Sequence, residues 1–259
     1  MNHLGKENSF SFQRTIHALN EGLKLIIRGG IQMKCNIFGN DLPGVSIVLD
    51  KGESVYTQSG GMAWMDEKIK METNVKGGLM KGIGRMFSGE SLFMATYTSM
   101  APAQEIVFAS TFPGQILEFD LLKGDEWICQ KSSFLVGEPS IHLNVEWTKR
   151  LSAGLLGGEG FILQRISGQG KVFLEAAGSV VKRELKHGEI IKVDTGNVVA
   201  FSRGVNYEIE TVKGFKNIFF GGEGLFLTKL TGPGTVYLQT LTMQNVATRL
   251  IPYIPTGGK

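Results

Sequence analysis

Cysteine and histidine are scarce, and that scarcity removes several kinds of chemistry at once. Only Cys35 and Cys129 carry thiols among 259 residues. That count allows at most one disulfide, and two reduced, packed thiols are the expected state. The four histidines, His3, His17, His142 and His187, are scattered and no CxxC occurs, so a zinc site has nothing to build on. Charge of one sign is also missing. The formal net charge is +3, too small to announce nucleic acid as a partner. No long apolar run exists either. The charge-free stretch Leu230 to Thr248 is interrupted by Gly232-Pro233-Gly234 and by threonines and amides, so it is no membrane span. Near the start, Met1 to Asn8 is polar and Leu23 to Ile27 contains Lys24, which argues against a secretory leader. A cytoplasmic location is expected.

Glycine, by contrast, is abundant: 35 residues, about twice the usual share. Its placement is periodic. Leu49-Asp50-Lys51-Gly52-Glu53, Leu121-Leu122-Lys123-Gly124-Asp125 and Leu185-Lys186-His187-Gly188-Glu189 each read apolar, two residues, glycine, carboxylate. A second pattern alternates with the first: Ser88-Gly89-Glu90-Ser91, Gly157-Gly158-Glu159-Gly160 and Gly221-Gly222-Glu223-Gly224. Two interleaved sets in phase define a repeat of about 65–70 residues. Within it, runs such as Ser46 to Leu49, Ile190 to Val193, Asn197 to Phe201 and Thr235 to Leu238 are β-branched and bounded by turn residues. Gly168-Gln169-Gly170 and Gly232-Pro233-Gly234 read as tight reversals. The class expected is all-β, with three repeated β-sandwich or rolled-sheet units about a pseudo-threefold axis and few short helices. The units expected are 31–108, 109–175 and 176–242, preceded by an extension over 1–30 and followed by a tail over 243–259. Helices are expected at 15–27 and at Met243 to Leu250.

Gly60-Gly61-Met62, Arg85-Met86-Phe87-Ser88-Gly89-Glu90, Gly157-Gly158-Glu159-Gly160-Phe161, Val193-Asp194-Thr195-Gly196 and Phe220-Gly221-Gly222-Glu223-Gly224-Leu225 together resemble the altered-inheritance-of-mitochondria (mitochondrial biogenesis) family. The resemblance covers about residues 25–255 and points to its bacterial branch of unassigned function. It implies a fold like the tryptophan RNA-binding attenuation protein, three such units fused in one chain. For eukaryotic members it implies a role in mitochondrial inner-membrane organisation. It brings no catalytic residues and no cofactor.

Val193-Asp194-Thr195-Gly196 has the form of an aspartic protease half-site. The aligned residues of the other repeats, Gln58-Ser59-Gly60 and Gln130-Lys131-Ser132, supply no second aspartate, so Asp194 is read as a hairpin-turn residue bonding its own backbone. No glycine stretch matches a phosphate-binding loop. Lys68, Lys70, Lys76, Lys81 and Arg85 lie near Trp64 and Phe87, but Asp66, Glu67 and Glu72 dilute their charge. That segment is read as a solvated loop, and its methionines as core filler or a partner surface.

The function expected is that of a non-enzymatic scaffold or binding protein, with a protein or membrane partner and a homo-oligomer among the assemblies to test. The alternatives are a small-ligand or RNA-binding module and, third, an uncharacterised hydrolase. The candidate site residues are the repeated turn carboxylates Glu90, Glu159 and Glu223. They either converge on the axis as a hard-cation site or satisfy their own glycine turns. Val246 and Leu250 share a helical face, so the C-terminal segment is expected to cover the body or a neighbouring subunit.

Overall fold

Three turns of one design organise the chain. Gly52, Gly124 and Gly188 sit at φ +89°, +96° and +74°, where a side chain would be strained. Each following carboxylate closes its turn twice. The amides of Glu53, Asp125 and Glu189 donate to the carbonyls of Asp50, Leu122 and Lys186 at 2.9, 3.0 and 3.0 Å. Their side chains in return accept from the Asp50, Leu122 and Lys186 amides at 2.7, 2.9 and 3.0 Å. The leucine opening each pattern, Leu49, Leu121 or Leu185, is buried.

The computed structural model describes residues 33–58, 60–73, 94–149, 161–211 and 226–254. The chain divides into two units, 1–34 and 35–259. After β1 (Lys34–Phe38), strands follow in three groups. The first is β2 (Gly44–Leu49), β3 (Ser54–Thr57), β4 (Met62–Met65), β5 (Ile69–Thr73), β6 (Ala95–Ser99) and β7 (Gln104–Ala109). The second is β8 (Gly114–Leu121), β9 (Glu126–Gln130), β10 (Phe134–Gly137), β11 (Ile141–Lys149), β12 (Phe161–Gly168) and β13 (Gly170–Ala177). The third is β14 (Val180–Leu185), β15 (Ile190–Asp194), β16 (Val198–Ser202), β17 (Asn206–Thr211), β18 (Phe226–Thr231) and β19 (Gly234–Gln239). One α-helix, α1 (Met243–Leu250), follows. The fold is all-β.

One pairing scheme serves all three groups. First pairs with last: β2·β7, β8·β13, β14·β19. Third pairs with last: β4·β7, β10·β13, β16·β19, each with its register shifted at the same place, after Met62, Phe134 and Val198. Fourth pairs with fifth, and second with fifth: β5·β6 and β3·β6, β11·β12 and β9·β12, β17·β18 and β15·β18. Each of these pairings is antiparallel.

Two further pairings join the groups. β3 meets β10, with Gly137 opposite Tyr56, and β9 meets β16, with Phe201 opposite Ile128 and Ala200 opposite Cys129. The result is four sheets, ordered β1-β2-β7-β4, β5-β6-β3-β10-β13-β8, β11-β12-β9-β16-β19-β14 and β15-β18-β17. Each six-stranded sheet therefore draws three strands from one group and three from the next. Tyr56, Phe119, Phe134, Val172 and Leu174 of one six-stranded sheet pack on Cys129, Ile141, Ile166 and Val199 of the other. The opposite face of that second sheet, with Ile128, Leu163, Val198 and Phe201, packs on Leu230 of the three-stranded sheet. Alternation along β9 and β16 sends neighbouring residues into different cores, as strand geometry requires.

The glycine connections are corners, not the reversals the sequence suggests. β12 and β13 belong to different sheets, as do β18 and β19. The chain turns through Gly168 and Gly170 at φ +112° and +155°, and a Cβ on Gly168 would lie 2.1 Å from the Ser140 carbonyl oxygen. Space, as much as φ, selects glycine there. The helix expected at 15–27 lies outside the described residues. α1 forms where expected, its amide at Asn245 donating to the Thr242 hydroxyl at 3.1 Å.

Candidate functional site

Glu90, Glu159 and Glu223 fall in the connections β5–β6, β11–β12 and β17–β18, outside the described residues. So do Lys76, Lys81, Arg85 and Phe87. The described part of the basic segment is compensated. Lys68 lies 3.5 Å from Glu67, and Lys70 lies 2.7 Å from Glu72.

Asp194 accepts from the Gly196 amide at 3.1 Å and caps a 3-10 turn, Thr195–Asn197. It bonds its own backbone as expected, but the turn links β15 to β16 of another sheet and is no hairpin. The residues after it are structural. The Thr195 hydroxyl donates to the Phe226 carbonyl at 2.9 Å and accepts from the Thr228 hydroxyl at 3.1 Å. Gln130, aligned with Asp194, donates to the Thr195 carbonyl at 2.9 Å. Gln58, the third member, donates to buried Gln164 at 2.8 Å, and Gln164 donates to the Cys129 sulfur at 3.7 Å. These bonds satisfy the polar groups at the two joins between groups. Both cysteines are free thiols. Burial pushes the Cys129 thiol up to about 12, partly opposed by the Gln164 hydrogen bond.

The concave chemistry lies at the β9·β16 join. A cavity of about 250 Å³ is lined by Glu126, Ile128, Glu146, Arg165, Arg203, Val205, Asn206 and Tyr207. Ordinary strand alternation places Glu126 and Ile128 on one face of β9, and Arg165 of β12 lies opposite Ile128. Glu146 arrives by an irregularity: the β11·β12 register shifts between Val145 and Trp147, leaving Glu146 as the extra residue. Such a bulge re-aims its side chain. The Arg165 Nε and Nη2 groups both donate to Glu146 Oε2, at 3.0 and 2.7 Å. Arg165 Nη1 lies 3.6 Å from Glu126 Oε2, and Arg203 Nη1 approaches the same oxygen at 3.3 Å.

The two acids and two guanidiniums cancel in charge, but not in exposure. Arg165 is held between carboxylates, whereas the Arg203 side chain is 70% exposed and has Glu126 as its one partner among the described residues. Burial raises the Tyr207 hydroxyl, the Glu146 charge adds to the rise, and Arg165 opposes it. The phenol therefore stays a donor at neutral pH. Ile128 and Val205 supply apolar wall. The site offers donors from Arg203 and Tyr207 beside that wall, a set suited to an anionic oxygen.

None of these residues was singled out in the sequence. They are what the repeats do not share. By strand register, Ser54 and Ile190 stand where the second group has Glu126, and Thr96 and Lys229 where it has Arg165. Departures from the repeat were the available signal. Among the described residues no three His, Cys, Asp or Glu side chains gather as a metal site, and no helix is long and apolar enough to cross a membrane.

The C-terminal segment leaves most of its apolar groups open in the single chain. None of α1 is buried, Val246 and Ala247 are half-buried, and Leu250, Ile251 and Ile254 are exposed, with Tyr253 84% exposed. These exposed groups do not cover the body, and a neighbouring subunit is the other surface the expectation named.

The family profile described as Mitochondrial biogenesis AIM24 matches residues 35–241. An uncharacterised protein of Streptococcus pyogenes serotype M6 is 32% identical over 224 residues, 83% of this chain and 88% of that one. The crystal structure of a Streptococcus pyogenes protein superposes with a TM-score of 0.70 at 30% identity, covering 86% of this chain and all of that one.

Proposed function

This chain belongs to the Mitochondrial biogenesis AIM24 family, and from that premise we propose that it is a non-enzymatic scaffold that docks a protein or membrane partner through its C-terminal segment. The observation that carries the reading is the apolar run Leu250, Ile251, Tyr253 and Ile254, exposed beyond a capped helix. Clustered apolar groups of that size mark interaction surfaces on soluble folds. We read the body as three like units, 31–108, 109–175 and 176–242, about a pseudo-threefold axis, acting in the cytoplasm. The scheme of pairings described above supports that reading.

The test compares affinity purification of the wild type with a Leu250→Ser/Ile254→Ser variant. A protein or lipid retained by the wild type and lost by the variant, with melting unchanged, is the expected result. Identical retained sets would overturn the reading. The second reading is a small-ligand protein, favoured by the Arg203–Tyr207 cleft. The same purification tests it, read for a retained small anion.

A further inference from the structure

The pairing scheme leaves one join unmade. In the two internal joins the second strand of one group meets the third strand of the next: β3 with β10, and β9 with β16. The strands of these types left over are β15 and β4. They lie in different sheets, and among the described residues β15 pairs with β18 alone and β4 with β7 alone. Each presents a free edge.

Burial shows the consequence, position by position. In β10 and β16, Leu135, Val136, Val199 and Ala200 are buried. Their β4 counterparts are Ala63, exposed, and Trp64, 53% exposed. In β9, Ile128, Cys129 and Gln130 are buried, whereas Lys192 and Asp194 of β15 are exposed and Val193 is half-buried. The two edges carry only part of what usually blunts one: Lys192 and Asp194 charge β15, and the register of β4 shifts after Met62. There is no proline in either strand, and β4 has no charge.

We propose that the edge of β15 is a docking site for β4 of a second copy of this chain, and the edge of β4 for that copy's β15. The internal joins fix both occupant and register. Phe201 lies opposite Ile128 and Ala200 opposite Cys129. Transferring that register places Met65 opposite Lys192 and Trp64 opposite Val193. A large aromatic then faces a β-branched residue, a favourable cross-strand pair. Two copies satisfy both edges reciprocally, which closes the assembly as a two-fold dimer. The strands β4 and β15 share no residue with the C-terminal segment, so either idea can fail without the other.

Disulfide trapping tests it in the full chain with Cys35→Ser as background. Residues directly opposite across antiparallel strands lie within disulfide reach. One preparation carries Trp64→Cys and a second Val193→Cys. Mixed and oxidised, they are expected to yield an interchain dimer on a non-reducing gel. Ala63→Cys mixed with Val193→Cys is expected to yield none, because Ala63 points to the other face. Two outcomes overturn the proposal. One is absence of the interchain product from the Trp64→Cys and Val193→Cys mixture. The other is an intrachain bond in a chain carrying both substitutions, since the chain would then close on its own edge.

Discussion

Cys129 shows how a single side chain records its surroundings. It sits at the join of β9 and β16, opposite Ala200, with its sulfur accepting from Gln164. Its folded thiol ionises near 12 against an ordinary value of 9.0. The folded state therefore holds the proton more tightly than the unfolded state. Its contribution is complete below about pH 9 and is lost as pH rises from there toward 12, at up to about 1.4 kcal/mol per pH unit. Melting followed from pH 8 to 10.5 should show a shallower alkaline fall in Cys129→Ala than in the wild type; equal slopes would remove the thiol from the account. The same burial predicts reactivity: Cys129 resists alkylation until the chain unfolds, whereas half-buried Cys35 reacts slowly in the native state. The sequence suggested two reduced, packed thiols from their number and the usual state of cytosolic cysteines. It could not show Gln164 beside one of them, since that contact depends on strand register across a sheet. The charged cleft was hidden for the same reason. Glu146 reaches Arg165 only because a bulge displaces it.

At the scale of elements, the repeated glycine turns were legible because they are local: four residues close on themselves, and a glycine followed by a carboxylate recurs in each. The structure adds that space around them is open. A Cβ on Gly52, Gly124 or Gly188 would meet nothing within 4 Å. Replacing Gly124 with alanine should therefore cost only the conformational term, about 1–2 kcal/mol for a non-glycine residue in left-handed backbone. Gly168→Ala should cost considerably more, because strain is joined by collision with the Ser140 carbonyl. Urea denaturation of the two variants checks this order, and equal losses would mean the corner relaxes freely. The corners themselves were illegible. A glycine between two strands looks alike whether the strands pair or part company, and sheet membership is settled by contacts distant in sequence. The C-terminal helix illustrates the complementary limit. Its existence followed from local spacing and a cap, whereas its exposure depended on what the body left uncovered.

For the whole molecule, the decisive fact is that sheets and strand groups do not coincide. Each six-stranded sheet is half one group and half the next, so cutting the chain between groups cuts through sheets. Residues 114–177 taken alone would expose Val136, Cys129 and their buried neighbours on both sides. Apolar burial is worth about 1.5–3 kcal/mol for each large side chain, and a fragment losing several such contacts has little stability to spare. The full chain should unfold in one transition, and the excised 114–177 fragment should show no cooperative melt. Three separable transitions, or a folded fragment, would show that the groups are autonomous after all.

The first and last strands of each group lie side by side: β2 with β7, β8 with β13, β14 with β19. The polypeptide thus enters and leaves each group about one strand spacing apart, near 4.8 Å. A gene carrying such a stretch can be lengthened in frame by another copy without rerouting the chain on either side, because the new copy begins where the old one ended. Tandem duplication is the simplest history consistent with that geometry. Within that one backbone plan the side chains differ: the second group carries Glu126 and Arg165 where the first carries Ser54 and Thr96 and the third Ile190 and Lys229.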